Sequence, residues 1–227
     1  MGVRCQWHKR ENVVSYLPKE EQAHWLTQSW RKVLLNLKAR GLTAAALAIG
    51  DGALGFWTAL EEIFSETRHQ RCWCHETQNV LNTLPKSVQP KAKQALQDIW
   101  RTETKGGAEG AFEGFLTTYV VKYPKATACW EKDREELLMF YAFHAAHWSS
   151  LRTTNPIEST FGTIRHRTAR TRGCLTRDGM LHMMFSFGQC AEKTWRRMRG
   201  FKQLPKVIAG IQCINGIEQA SMDSVAA

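Results

Sequence analysis

The sequence has no run of about 18 apolar residues, the length that a membrane-spanning helix needs, so a membrane partner is not expected. Its first ten residues are basic but no apolar stretch follows them, so a secretory signal is not expected either. There is no glycine-rich phosphate loop, no Gly-x-Ser-x-Gly turn and no His-Glu-x-x-His helix. A disulfide framework is also missing. The seven cysteines, at 5, 72, 74, 129, 174, 190 and 213, are odd in number and scattered, which fits free or metal-bound thiols in a reducing, cytoplasmic setting. Acid is the other shortage: 21 Asp and Glu stand against 31 Lys and Arg, a net charge of +10 over 227 residues. With 43% hydrophobic and 23% charged residues the composition is globular, which suits one domain or a core with an insertion.

The excess of base is local. Residues 152–202 hold 11 Lys and Arg against 3 Asp and Glu, a balance of +8, whereas residues 1–151 hold 19 against 16. Cations concentrated in this way attract phosphate, because each neutralised phosphate releases condensed counterions. The segment also interleaves Thr and His with its arginines (Arg165, His166, Arg167, Thr168, Arg170, Thr171, Arg172), side chains that reach phosphate oxygens. Nucleic acid is the expected partner, and a solvated basic face is the plainer alternative.

Apolar spacing predicts a helix from Glu20 to Arg40, closed by Gly41. Thr43 to Ile49 reads as a buried strand bounded by Gly50-Asp51-Gly52, Leu54 to Phe64 as a second apolar-periodic segment, and Arg68 to Cys72 as a second short strand. Residues 76–150 read as mostly helical, with Phe112, Phe115, Leu116, Tyr119 and Tyr123 on one face before Pro124, then an aromatic-rich stretch from Trp130 to Trp148. A further helix is expected from Asp178 to Gly200, with Leu181, Met184, Phe185, Gly188, Ala191, Trp195 and Met198 on its apolar face. The class is therefore α/β, predominantly helical, a core interrupted by a helical insertion. One motif occurs twice: residues 4–22 align without gaps on 71–89 with nine of 19 positions identical, and the similarity then stops.

Three constellations can carry chemistry. Asp51 stands at the end of a predicted strand, where α/β sheets place ligand sites, or else serves as a turn or N-cap residue. Glu158, in Arg152-Thr-Thr-Asn-Pro-Ile-Glu158-Ser, reads as the third helical residue of a capping box, with Asn155 the cap and Pro156 first in the helix. Yet it is a lone carboxylate opening the most basic stretch of the chain, with Arg165 two turns on along the same face. Cys72/His75 and Cys5/His8 are Cys-x-x-His pairs of zinc-ligand type, with a structural, metal-free role as the alternative.

Taken together, Gly50-Asp51-Gly52-Ala53, then Gln70-Arg71-Cys72-Trp73-Cys74-His75 with Asn79-Val80, then Arg152-Thr-Thr-Asn-Pro-Ile-Glu158 resemble the Mutator-type family of bacterial insertion-sequence transposases. Order and separations match from about Trp30 to Gly216, and Leu204-Pro205 and Asn215-Gly216-Ile217-Glu218 look like the family's ending. The resemblance implies a ribonuclease-H-like core in which two Asp and one Glu hold divalent metal (Mg2+ or Mn2+) for phosphodiester cleavage and strand transfer. Carried over by motif, Asp51 is the second carboxylate, Glu158 the third, and 76–150 the helical insertion. Cys72 and His75 match the family's Cys-x-x-His signature. Arg152, Arg165, Arg167, Arg170 and Arg172 become DNA-binding residues, and the partners implied are transposon ends, target DNA, and a second copy or an intact transposase.

The match has one departure. No Asp precedes Asp51, and the upstream acids are Glu11, Glu20 and Glu21, so the family's first catalytic Asp has no counterpart. The expectation is a rearranged, N-terminally shortened relative with an incomplete ribonuclease-H-like core. Its parts are a duplicate fragment at 1–22, a partial core at 23–75, the insertion at 76–150, core helices with the basic segment at 151–203, and a tail at 204–227.

Overall fold

The computed structural model describes residues 18–52, 55–170 and 176–219. In chain order it runs through a helix Lys19–Ala39, strand β1 (Leu47–Gly50), a helix Phe56–Ile63 and strand β2 (Arg68–Arg71). Helices follow at Trp73–Asn82, Gln89–Arg101, Lys105–Tyr119, Pro124–Lys132, Arg134–Leu138 and Trp148–Leu151, with 3-10 turns Met139–Ala142 and Ala145–His147 before the last. Helices Asn155–Arg170 and Arg177–Glu192 come next, then a short helix Leu204–Ile208 and strands β3 (Cys213–Ile214) and β4 (Ile217–Glu218). Two compact units divide these elements. One takes residues up to Leu42, Ala53–Ile63 and Asn155–Arg197, and the other takes Thr43–Gly52, Phe64–Thr154 and Met198 onward.

The second unit holds the larger core. β1 and β2 pair in parallel, Leu47 opposite Arg68 and Gly50 opposite Arg71. Beyond them the helices from Trp73 to Leu138 wrap an aromatic centre. Trp130 is fully buried, with Phe112 stacked on it at 5.3 Å and Trp73 edge-on at 5.2 Å. Such pairs contribute about 0.5–1.5 kcal/mol each beyond the area they bury. The segment closes with the β3–β4 hairpin, whose two-residue turn Asn215-Gly216 has both residues left-handed (φ 50 and 77), as a type I′ turn requires. Asn215 Oδ1 accepts from the Lys105 amide at 2.7 Å, and a Cβ on Gly216 would meet Trp148 at 2.7 Å, so this turn fits only with glycine there.

The first unit is helical. Lys19–Ala39 packs on Phe56–Ile63 through Leu34, Ala59 and Leu60, with Trp30 edge-on to Phe56 at 5.0 Å and Lys38 Nζ donating to the Ile63 carbonyl at 3.1 Å. Asn155–Arg170 packs on Arg177–Glu192, and Ile164 and Ala191 are buried. Thr176 caps the second of these helices by accepting from the Gly179 amide at 3.1 Å.

The predominance of helix is as expected. Among the described residues the sheet amounts to one parallel pair and one hairpin, which does not by itself define a ribonuclease-H-like core. The first strand is shorter than predicted and shifted, Leu47–Gly50 rather than Thr43–Ile49, because its partner supplies only the four residues Arg68–Arg71. Cys72 leaves the strand to become the N-cap of the Trp73–Asn82 helix. Pro124 does not stop a helix that reaches Tyr123; that helix ends at Tyr119, and Pro124 opens the next, where its missing N–H costs nothing. The last long helix ends at Glu192, not near Gly200; residues from Met198 belong to the other unit, where the Arg199 carbonyl meets His147 Nδ1 at 3.1 Å. Its expected core face is largely exposed: Leu181 is 52%, Phe185 65% and Trp195 59% accessible, against 6% for Ala191. No helix among the described residues is long and apolar enough to cross a membrane.

Trp130 yields a prediction. Its Nε1 is buried and meets no acceptor among the described residues, so its contribution is packing alone. Trp130→Ala is expected to cost about 3–5 kcal/mol in urea unfolding, and Trp130→Phe, which removes the unsatisfied donor, less than about 2 kcal/mol.

Candidate functional site

Asp51 is exposed and follows directly on β1. The next helix starts at Phe56, so Asp51 does not cap it. Gly52 is left-handed at φ 89, and a Cβ there would lie 1.6 Å from Arg71 Nη1, so the Arg71 guanidinium fills the space beneath the turn. Arg71 is held from both sides: Nη2 donates to Glu76 at 2.7 Å and Nε to Asp133 at 2.8 Å. Glu76 is 1% accessible and also accepts from Asn79 at 3.1 Å and from the Cys129 thiol at 3.2 Å. Burial, and then the neighbouring Glu76, push that thiol up to about 11, which keeps it a donor. Arg71 Nη1 is buried and meets no acceptor among the described residues. Sequence reasoning missed Arg71, Glu76 and Asp133. The available signal was a charged residue at the inner end of a short strand, since such a cation is buried only when paired.

Cys72 and His75 form the second constellation. Cys72, 1% accessible, stands at the start of the Trp73–Asn82 helix with its Sγ 3.2 Å from His75 Nδ1. The partners of the sulfur come from about 80 residues later in the chain. Thr154 donates to it from its amide at 3.4 Å and from its hydroxyl at 3.3 Å, and the Thr153 hydroxyl lies 3.8 Å away. Thr153 also donates to Cys74 Sγ at 3.5 Å, and the Trp73 amide donates to the Arg152 carbonyl at 2.9 Å. Burial alone would push the Cys72 thiol up, but hydrogen bonds from Thr154 and His75 outweigh it and bring the thiol down to about 7.

Arg152 opens the basic segment, yet its guanidinium lies over the rings of Trp100 (4.5 Å) and Phe140 (5.2 Å) and donates to the carbonyls of Trp148 and Trp100. It also walls a cleft of about 410 Å³ with Trp73, Cys74, Lys93 and Trp100. In the other unit Glu158 sits in the first turn of Asn155–Arg170, while Arg165, Arg167 and Arg170 are exposed further along the same helix. Arg167 rests at 6.0 Å over Phe187. Arg172, with Cys5 and His8 of the second Cys-x-x-His pair, lies outside the described residues. Among the described residues no group of three or more His, Cys, Asp and Glu converges as a metal site would require.

Residues 20–195 match the family described as Transposase, Mutator family. The transposase for insertion sequence element IST2 of Acidithiobacillus ferrooxidans is 49% identical over 218 residues, which is 96% of this chain and 72% of that protein. The transposase for insertion sequence element IS6120 of Mycolicibacterium smegmatis is 45% identical over 210 residues, 92% of this chain and 64% of that protein. The transposase for insertion sequence element ISRM5 of Rhizobium meliloti is 26% identical over 195 residues, 86% of this chain and 48% of that protein.

The site makes two predictions. Arg71→Ala leaves the Glu76 carboxylate buried without its cation and is expected to cost about 3–5 kcal/mol in denaturant unfolding. The Cys72 thiol titrates about 7 in the fold against 9.0 when free, so its thiolate stabilises the fold fully above pH 9, and that contribution is lost as pH falls through 7. The difference in Tm between the protein and Cys72→Ala should be widest at the alkaline end and shrink below neutrality. A difference that grows on acidification would contradict the assignment.

Proposed function

The chain belongs to the Mutator family of transposases, and from that premise we propose that it acts in the transposition of an insertion sequence, with DNA as its partner. The observation that carries the reading is the row of exposed cations Arg165, Arg167 and Arg170 along the helix whose first turn holds Glu158. These side chains contact phosphate, and Arg152 holds the segment before the helix in place. Asp51 and Glu158 are the second and third carboxylates of the family's metal-binding set, which supplies Mg2+-dependent (or Mn2+-dependent) phosphodiester cleavage and strand transfer when complete. Two carboxylates do not complete that set, so no metal-borne step is assigned to Asp51 and Glu158 by themselves. A second copy of the chain or an intact transposase is its further partner. A DNA-occupying regulator of transposition is the second reading, favoured by the same exposed cations, which hold phosphate without a metal.

The test is direct. Purified protein is expected to bind DNA carrying the insertion-sequence ends with an affinity that falls steeply with salt. Changing Arg165, Arg167 and Arg170 to Gln should flatten the log–log salt slope by roughly 0.9 for each phosphate no longer neutralised. Salt-independent or absent binding would overturn the proposal.

A further inference from the structure

We infer that Cys72 and His75 are positioning residues: together they form a hydrogen-bond receptor that locks Thr154, the last residue before the helix bearing Glu158 and Arg165. The inference deepens the proposed function and rests on it for what that helix does, but the lock stands on its own geometry. Each residue of the Arg152-Thr153-Thr154 segment is tied to the Cys-x-x-His motif or its surroundings. Arg152 accepts from the Trp73 amide at 2.9 Å and seats its guanidinium over Trp100. The Thr153 hydroxyl lies against both Cys72 and Cys74, at 3.8 and 3.5 Å. Thr154 delivers its amide and its hydroxyl to the Cys72 sulfur, at 3.4 and 3.3 Å, and that hydroxyl also lies 3.5 Å from His75 Nδ1.

Other uses of the motif fit less well. A zinc site needs about four donors, and no group of three or more converges among the described residues. A reactive thiol needs access, and Cys72 is 1% accessible. What remains is a soft sulfur acceptor, ringed by donors, that receives a chain segment. Helix Asn155–Arg170 begins at the very next residue. The locked residue is thus contiguous with the first turn of that helix, so freeing Thr154 loosens the turn that holds Glu158.

Hydrogen–deuterium exchange of the protein, followed by mass spectrometry on peptides across 150–160, tests the lock. Thr154→Val removes one donor at nearly constant shape, and Cys72→Ala removes the acceptor. Each should speed exchange there by roughly two- to tenfold, the worth of one such hydrogen bond, while Trp130-centred peptides stay protected. Thr154→Ser keeps both donors and should restore the slow exchange. The same ordering is expected in DNA affinity, Val weaker and Ser close to the parent. Unchanged exchange in Thr154→Val and Cys72→Ala would overturn the lock. So would protection in the parent protein that collapses with 1,10-phenanthroline, which would make the pair a metal site. If the parent binds no DNA, the functional reading fails while the exchange arm still decides the lock.

Discussion

A buried guanidinium between two carboxylates organises the larger unit. Arg71 closes β2, and its two bonded nitrogens reach Glu76 in the following helix and Asp133 some sixty residues away. Each partner alone would carry a heavy desolvation cost, and the three are tolerable only as a set. The set therefore fixes the end of the strand, the first turn of Trp73–Asn82 and the turn before Arg134–Leu138 relative to one another. It also dictates what can stand above it. Gly52 must lack a side chain because Arg71 Nη1 already fills that volume, so the exposed Asp51 is carried on a turn whose shape is set from below. Neutral hydrogen bonds around the set reinforce it: Gln70 and Trp73 both donate to the Leu137 carbonyl, at 3.1 and 2.8 Å.

From this ionic base the packing becomes aromatic. Trp73 follows the motif cysteine and stands edge-on to Trp130, and Trp130 in turn stacks with Phe112. The same few residues thus end the sheet, start a helix and enter the core. The hairpin at Asn215-Gly216 closes the other side by capping Lys105–Tyr119 and accepting from the Ala145 amide at 3.1 Å. Local elements that are individually short, such as the five-residue helix Arg134–Leu138, are held by these cross-connections rather than by helix propensity, which is marginal at that length.

What could be read from the sequence follows the range of the interaction. Caps and periods are local, so the Glu20–Arg40 helix and the Asn155-Pro156 helix start emerge within a residue or so of where the structure has them. The Cys-x-x-His pair is legible as a pair because its members are three apart on one helical turn. Its receptor role is not, since Thr153 and Thr154 come from a segment with no spacing relation to it. Arg71 with Asp133 is hidden for the same reason. Periodicity alone also overstates burial: Leu181, Phe185 and Trp195 recur at helical intervals, yet remain more than half exposed, because a period states which residues share a face and not what covers it.

Charge is the feature that structure refines most. A net charge counts every Lys and Arg alike, but the fold uses them in two ways. Arg71 and Arg152 are committed inward, one to carboxylates and the other to ring faces and carbonyl oxygens, and neither adds an open cation to the surface. Glu76 is likewise withdrawn from the surface, at 1% accessibility. The field outside is then written by what stays exposed, and along Asn155–Arg170 that means Arg165, Arg167 and Arg170 with a single carboxylate in the first turn. A helix N-terminus favours a carboxylate and its last turn favours cations, so this distribution also stabilises the helix that displays it. The arrangement that suits a polyanionic partner is therefore also one that the helix dipole favours, which offsets part of the repulsion among its cations.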